Sequence, residues 1–241
     1  MEVALFLTFR TPPCAGPAPL DEVAVRLNNV DGLRRALMHT PSSANDPYLK
    51  DEDAPPLALQ LYFDNLAALE AAAAPDGALQ TLAERRAFPW IRDAHLSQQA
   101  MVVRRFPVAA PADASRSTPH CTYLVAYEGT PRDYSAWLGH YLTSHIPLMQ
   151  RMPGIRELEV YTCLDWISAL PAQRDNAVQR NKVVFDDNGA LSAALQSPIR
   201  HEMRRDFEAS PPFDGHNVHF PMTSHTVPLN SARPHSPEVN S

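Results

Sequence analysis

Between positions 127 and 225 the chain carries a run of residues able to hold or move a proton: Tyr127, His140, Tyr141, His145, His216, His219 and His225. The densest group is Trp137-x2-His140-Tyr141-x3-His145-x-Pro147-Leu148. Tyr141 and His145 are four apart, so a helix sets them on one face near Trp137 and Leu138. A neutral imidazole with an ordinary pKa near ~6.5 suits proton transfer around neutrality. Beside a phenol in a pocket, His145 would move a proton on a carbonyl or lactone compound. The competing role for His145 is an anchor at the helix end, bonded to a backbone carbonyl ahead of Pro147. His140 sits about 100° round an ideal helix from Tyr141 and points more towards water. The catalytic candidates are thus His145, Tyr141 and His140, and the substrate-binding candidates are Trp137, Tyr127, His219 and Arg200.

His219 and His225 share strand parity, but six strand residues span about 20 Å, too far for one metal. No metal site is expected. Haem held by His219 or His225 is a minor alternative to a cofactor-free site. Glu128 is placed to orient a histidine. Arg200 and Asp206 fall late in a helical segment, where a solvated face is the default, and Asp64 and Asp186 read as helix caps. Cys14, Cys121 and Cys163 are odd in number and lack a CxxC pair, so buried packing is expected rather than zinc or disulfides. Neither GxGxxG nor GxxxxGK[ST] occurs.

The chain has 241 residues, with 21 Lys and Arg against 27 Asp and Glu, for a net charge of −6. That balance offers no footprint for a phosphate backbone or an anionic membrane, so neither nucleic acid nor membrane is an expected partner. A hydrophobic fraction of 44% suffices for a core. No apolar run approaches the ~18 residues of a membrane span. MEVALFLTFR lacks the basic flank and length of a secretory leader. A soluble, cytoplasmic protein is expected. Twenty-four prolines against eight glycines punctuate the chain into elements.

Those elements repeat. Val30–Thr40 overlies Met152–Thr162 at a shift of 122, matching Gly32 with Gly154, Arg34 with Arg156 and Thr40 with Thr162. Leu61–Ala72 overlies Val183–Ala194 at the same shift, matching Phe63 with Phe185 and Asp64 with Asp186. The first half reads as strand Val3–Arg10, helix Leu20–Leu27, strand Leu33–Thr40, a Pro/Ser/Asp-rich insert over 41–56 and strand Leu57–Phe63. A helix from Leu66 through Ala74, continuing over Leu79–Arg86, and strand Leu96–Phe106 complete it. The second half reads as strand Thr122–Tyr127, a Thr130-Pro131 cap and a helix to about Met152, then strands Ile155–Cys163 and Lys182–Phe185. A helix from Ala190 to about Gln196, a second from Pro198 through Phe207 and strand Asn217–Val227 come after these. Asp64 or Asn65, and Asp187 or Asn188, are the expected caps. Both halves have the βαββαβ order of a ferredoxin-like unit. The units are 1–106 and 119–227, the linker 107–118, and the Pro/Ser/Asn-rich tail 228–241 is expected to be disordered. The first strands match at a shift of 118 instead, so the first helical region of half one is shorter by about a turn and has no histidine cluster.

The second half resembles the EthD-like proteins of the dimeric α/β-barrel superfamily. The resemblance rests on the Trp137-to-Leu148 pattern, the Met152-Pro153-Gly154-Ile155 turn, and Asp187-x2-Ala190-Leu191 followed by Ser197-Pro198 and Asp206. It implies an α+β fold in which two ferredoxin-like units form a barrel, here an intrachain pseudo-dimer, with a homodimer of such chains as a further expectation. The superfamily includes cyclases, muconolactone isomerases, cofactor-free monooxygenases and haem enzymes. The resemblance together with the residues implies a cofactor-independent isomerase, lyase or decarboxylase acting on a small aromatic-derived or carbonyl compound. The alternatives are a cofactor-free or haem-dependent monooxygenase, or a non-catalytic binding protein.

Overall fold

A computed structural model describes residues 1–49, 53–112 and 118–230. The first half comprises β1 (Val3–Arg10), α1 (Leu20–Leu27), β2 (Leu33–Pro41), β3 (Leu57–Phe63), α2 (Leu66–Ala72) and β4 (His95–Phe106). The second comprises β5 (His120–Pro131), α3 (Tyr134–His140), a π-helical turn (Tyr141–His145), α4 (Ile146–Met149), β6 (Glu157–Cys163), β7 (Gln173–Arg174), β8 (Ala177–Phe185), α5 (Asn188–Leu195), α6 (Pro198–Glu208) and β9 (Phe213–Thr226). The fold class is the expected one. Strands run in the order β4-β1-β3-β2 in one unit and β9-β5-β8-β6 in the other, antiparallel throughout. β2 pairs with β9 and β4 with β6, so both open edges of each sheet are used and eight strands close a barrel. The short β7 adds parallel to β4.

Alternation in the strands sorts inside from outside. In β1, Val3, Leu5, Leu7 and Phe9 join the core beneath the helices of their own unit, whereas Ala4 and Phe6 enter the barrel. In β5, Cys121, Tyr123, Val125 and Tyr127 likewise face the second unit's helices. The repeated residues have a common purpose. Gly32 and Gly154 both take φ of +76°, a left-handed turn open to glycine without strain. Arg34 pairs with Asp64 at 2.5 Å and Arg156 with Asp186 at 2.6 Å. Asp64 and Asp186 are therefore partners of the repeated arginines and not caps. The caps are their neighbours Asn65 and Asp187, which accept from the amides of Ala68 and Ala190.

Two other expectations change. The helix after β3 stops at Ala72, because Pro75 cannot continue it. A Cβ on Gly77 would lie 2.3 Å from the Ala72 carbonyl oxygen, so the chain folds back there into a 3-10 turn over Ala78–Leu82. Thr130 and Pro131 do not cap a helix. They extend β5 against β9, and Asp133 caps α3 through the Ala136 amide at 2.9 Å. Of the cysteines only Cys121 is buried; Cys14 and Cys163 are exposed, and all three are free thiols. Part of the 107–118 linker and the tail beyond 230 lie outside the described residues. Asn230 donates its amide to Asn28 Oδ1 at 2.8 Å.

The barrel interior is ionic. The Lys182 ammonium, fully buried, meets Tyr62 Oη at 2.7 Å, Glu157 Oε1 at 2.9 Å and Glu159 Oε2 at 2.8 Å. Three donors thus find three acceptors. Arg35 grips Glu157 through both guanidinium arms at 2.8 and 3.0 Å. These two residues stand at equivalent places in the repeat, so the bond crosses the pseudo-two-fold axis. Arg35 and Lys182 hold the Glu157 carboxyl far below the usual carboxylate range against the opposing effect of burial.

The connectors also cross between units. The β2–β3 connector leaves the first unit and lies on the helices of the second: Asn45 donates to Ser192 Oγ at 3.2 Å, and Asn188 donates to Ser42 Oγ. The β6–β8 connector lies on the first unit, where Ile167 N bonds Glu70 Oε1 and Ala169 N bonds the Ala73 carbonyl, both at 2.9 Å. Replacing Lys182 with Met removes the cation that Glu157 and Glu159 share inside the barrel, leaving Glu157 to Arg35 and Glu159 to Arg105. We expect a loss of about 3–5 kcal/mol in the free energy of urea unfolding; an unchanged midpoint and slope would show that the network contributes nothing net.

Candidate active site

A cleft lies between the second unit's sheet and its helices, with about 600 Å³ of empty space, open solvent at its mouth included. Its floor is β5, β8 and β9, its wall the π-helical turn and α4, and its roof α6 with the first unit's connector. The π-helical turn arises where the backbone of Tyr141–His145 widens between α3 and α4. It turns both Tyr141 and His145 inward, leaving them 4% and 7% exposed. Turns of this kind recur at functional sites.

His145 is held by Asp206, with Nδ1 2.7 Å from Oδ2. An ionised carboxylate only accepts, so Nδ1 carries the proton and Nε2 presents its lone pair. Among the described residues no partner takes Nε2. Burial pushes the imidazole below its ordinary 6.5, outweighing the upward pull of Asp206. The ring lies 4.8 Å from that of Tyr141. The Tyr141 hydroxyl accepts from Asn181 Nδ2 at 2.5 Å and donates to Met149 Sδ at 3.6 Å, and the Tyr127 hydroxyl lies close to it and to Asn217. Burial raises both phenols above their ordinary values, so they remain protonated donors. Across the cleft the His219 ring lies tilted against Tyr123 at 5.4 Å, and among the described residues its buried Nδ1 has no hydrogen-bond partner. Burial first, then Arg200, lowers the His219 pKa to about 4. The remaining lining is chiefly apolar, with Val125, Val183, Met149, Met203, Leu195 and Phe207.

Arg200 and Asp206 are not on a solvated face. α6 turns both inward, because Ile199, Met203 and the two polar residues share the side that packs on the cleft. The Arg200 guanidinium is held by both oxygens of Asp46 at 2.9 to 3.2 Å, and Asp46 comes from the first unit's connector. Next to it Tyr48 bonds His201 and lies 5.1 Å beneath the Arg200 guanidinium. One half of the chain thus roofs the cleft of the other.

Of the residues singled out from sequence, the cleft brings together Tyr127, Tyr141, His145, Arg200 and His219. His140 does not line it; its Nε2 stands 3.2 Å from Asp206 Oδ1, on the far side of the same carboxylate. Trp137 packs behind the cleft, stacked on Phe213 at 5.4 Å. His225 lies opposite Met38 in the β2–β9 seam, and His216 reaches Glu128 at 3.6 Å on the surface. Sequence reasoning missed Asp46, Asn181 and Asn217. The two asparagines carry a faint signal, a polar side chain on the packed face of a strand. Asp46 carries none, since its role depends on the connector crossing between units. Among the described residues no group of three His, Cys, Asp or Glu is placed to hold a metal, and no helix is long and apolar enough to cross a membrane.

Eight antiparallel strands closed by two ferredoxin-like units, with a cleft under one helical layer, define the dimeric α/β-barrel class, here within one chain. No family model matches the chain, and no curated protein matches it. Solved structures do. An anthrone oxidase-like protein is 13% identical, with a TM-score of 0.61 and 96% of each chain covered. A provisionally assigned monooxygenase of Fusobacterium nucleatum is 7% identical, with a TM-score of 0.53 and coverage of 96% of this chain and 94% of that one. An EthD family protein of Bacillus halodurans is 20% identical over 41% of this chain and 95% of its own, with a TM-score of 0.33. At these identities the first two likenesses show the fold alone.

His145, His219 and the barrel's His39, lowered to about 3 by burial, all bind protons less readily folded than unfolded. The unfolded chain therefore takes up more protons once pH drops below about 6.5, and folding stability falls with it. Thermal unfolding should show a midpoint that declines from pH 6.5 to 5, before carboxylates titrate, with a shallower decline in His219→Gln. A flat profile over that window would contradict the buried neutral histidines.

Proposed function

We propose that this protein is a cofactor-independent enzyme that takes a proton from an activated C–H or O–H group of a small, uncharged aromatic carbonyl compound. The observation that carries the reading is the His145–Asp206 pair at 2.7 Å, with the lowered imidazole pKa and an unpaired Nε2 in an aromatic-lined cleft. His145 Nε2 is the general base. Asp206 is a positioning residue: it fixes the tautomer and favours the imidazolium once the proton has moved, as in a Ser-His-Asp arrangement. The negative charge that develops on the substrate oxygen needs donors already in place. The neutral His219 ring and the Tyr141–Tyr127 hydroxyl pair supply them, and the orphaned His219 Nδ1 is the atom a substrate oxygen would satisfy. Lining residues that are apolar or neutral, with Arg200 paired to Asp46 and Arg204 to Glu208, suit an uncharged substrate. His140 contacts the far oxygen of Asp206 and supports its orientation. Cytoplasmic location, two ferredoxin-like units bounded at 106 and 119, and pairing of two chains belong to the same proposal.

The fate of the deprotonated substrate separates two reaction types. In an isomerase or lyase the proton is returned elsewhere or a group departs. In a cofactor-free monooxygenase, which the names of the two proteins of like fold favour, the carbanion reduces dioxygen directly. For an anthrone-type ketone the balance is one ketone plus one O2 giving one quinone and one water: the CH2 carbon loses two hydrogens and gains one oxygen. Haem is the remaining alternative in this superfamily. His145 and His219 are the axial donors on offer, but the cleft's buried cation, Arg200, is engaged by Asp46 and not free for a propionate. The donor set therefore favours the reading without haem, and a Soret band in the purified protein would overturn it.

Anthrone in deuterated buffer is the direct test. Wild-type protein should speed exchange of its acidic CH2 hydrogens under argon, and in air the monooxygenase form consumes one O2 per ketone. His145→Gln keeps a hydrogen-bonding side chain but no proton acceptor near neutrality, and should lower the rate about 10²–10⁴-fold. Asp206→Asn should lower it less and shift the pH profile. Equal rates for wild type and His145→Gln, or binding of anthrone with neither exchange nor oxidation, would contradict an enzymatic base and leave a binding protein.

A further inference from the structure

We propose that the mouth of the barrel is a second binding site, distinct from the cleft, for a small uncharged aromatic molecule bearing a carbonyl oxygen. An eight-stranded barrel is just wide enough either to be filled by side chains or to hold one small ligand. Here the filling is uneven. The centre is packed by Tyr62, Tyr161, Lys182 and the glutamates, but the end lined by Phe6, Leu124, Val218 and Phe220 is open, with about 1070 Å³ of empty space, open solvent included.

The chemistry of that end selects the ligand. Arg180 on β8 is partly buried there, its side chain 13% exposed. Its Nε donates to Gln99 Oε1 at 3.1 Å and its Nη2 to Asp175 Oδ2 at 3.2 Å, while its guanidinium lies 5.2 Å from the Phe6 ring centre. Among the described residues no acceptor takes Nη1. Burial lowers the Arg180 pKa, with Asp175 the first group to oppose it. The free N–H faces the open cavity, where a ligand acceptor can take the place of water. That acceptor need not be charged. Arg10 and Arg180 line the cavity together with Asp53, Asp175 and Glu128, so two cations already face three carboxylates and an anion would meet no surplus of positive charge. A carbonyl oxygen satisfies Nη1 without adding charge. The rest of the molecule lies against the apolar walls, where Phe6 and Phe220 favour a planar ring. Val125 and Asn181 border both spaces, but the site shares no acid–base group with the cleft and does not depend on the proton-transfer reading.

Isothermal titration of the full chain with 9-fluorenone, a planar and unreactive aryl ketone, tests this. Leu124→Trp fills the mouth from β5 without touching the cleft, and Val218→Trp does so from β9 should the first variant fail to fold. Arg180→Gln removes the free donor. Fluorenone should bind wild type at a site that either tryptophan variant abolishes, and Arg180→Gln should weaken that site roughly fivefold to tenfold, the worth of one hydrogen bond. Fluorenone-4-carboxylate should bind there more weakly than the neutral ketone. Stoichiometry and affinity unchanged in a folded tryptophan variant would place all binding elsewhere and overturn the proposal, as would no binding up to the solubility limit. Tighter binding of the carboxylate would overturn the choice of a neutral ligand.

Discussion

A four-stranded ferredoxin-like sheet has two bare edges, and bare edges invite pairing. The rest of this molecule depends on how those edges are satisfied. β2 meets β9 and β4 meets β6, so each unit completes the other and no long edge is left over. Closure brings the two interior faces together, and there the Arg35–Glu157 and Arg105–Glu159 contacts bind the halves with charge. Buried ion pairs of this kind gain little over an apolar core but penalise any register that leaves a charge unpaired. They therefore act on which pairing forms more than on how strongly it holds.

Closure also determines where the cleft can be completed. The connectors after β2 and β6 cross to the opposite unit, and only through that crossing does Asp46 reach Arg200. The symmetry ends at the helices. At the end of β1 the first unit has Phe9, packed near Phe88 and Trp90; the second has Tyr127 at the matching place. The first unit's helix after β1 is the two-turn α1, while over Tyr127 lies a longer helical stretch widened by a π-helical turn. In unit one the equivalent space is core. In unit two it holds phenols, an imidazole and a carboxylate.

Much of this was legible in the sequence, for physical reasons. Strand alternation and the fixed shift of 122 reveal two like units, since each depends only on local periodicity and a repeated spacing. β1, β3 and α1 fall where their patterns place them. His145 and Tyr141 are legible as a pair because they lie one helical turn apart. The partner of His145 is not, because Asp206 is 61 residues away on a helix whose polar residues look solvated without its neighbours. Arg200 misleads in the same way: a charge on a surface-type helix becomes a buried pair only once Asp46 arrives from the other half. Asp64 and Asp186 show the converse error. Their recurrence is visible, but whether an aspartate after a strand caps a helix or pairs with a recurring arginine is decided by one residue of register.

The central claim is that Asp206 holds His145 neutral, protonated at Nδ1, with Nε2 left as a base. Nitrogen-15 chemical shifts of the histidine rings, followed by NMR from pH 8 to pH 4, read tautomer and pKa together. His145 should show the Nδ1–H tautomer and stay neutral to below its ordinary 6.5, and Asp206→Asn should alter both. An Nε2–H tautomer, or an imidazole that gains its proton above pH 6.5, would contradict it.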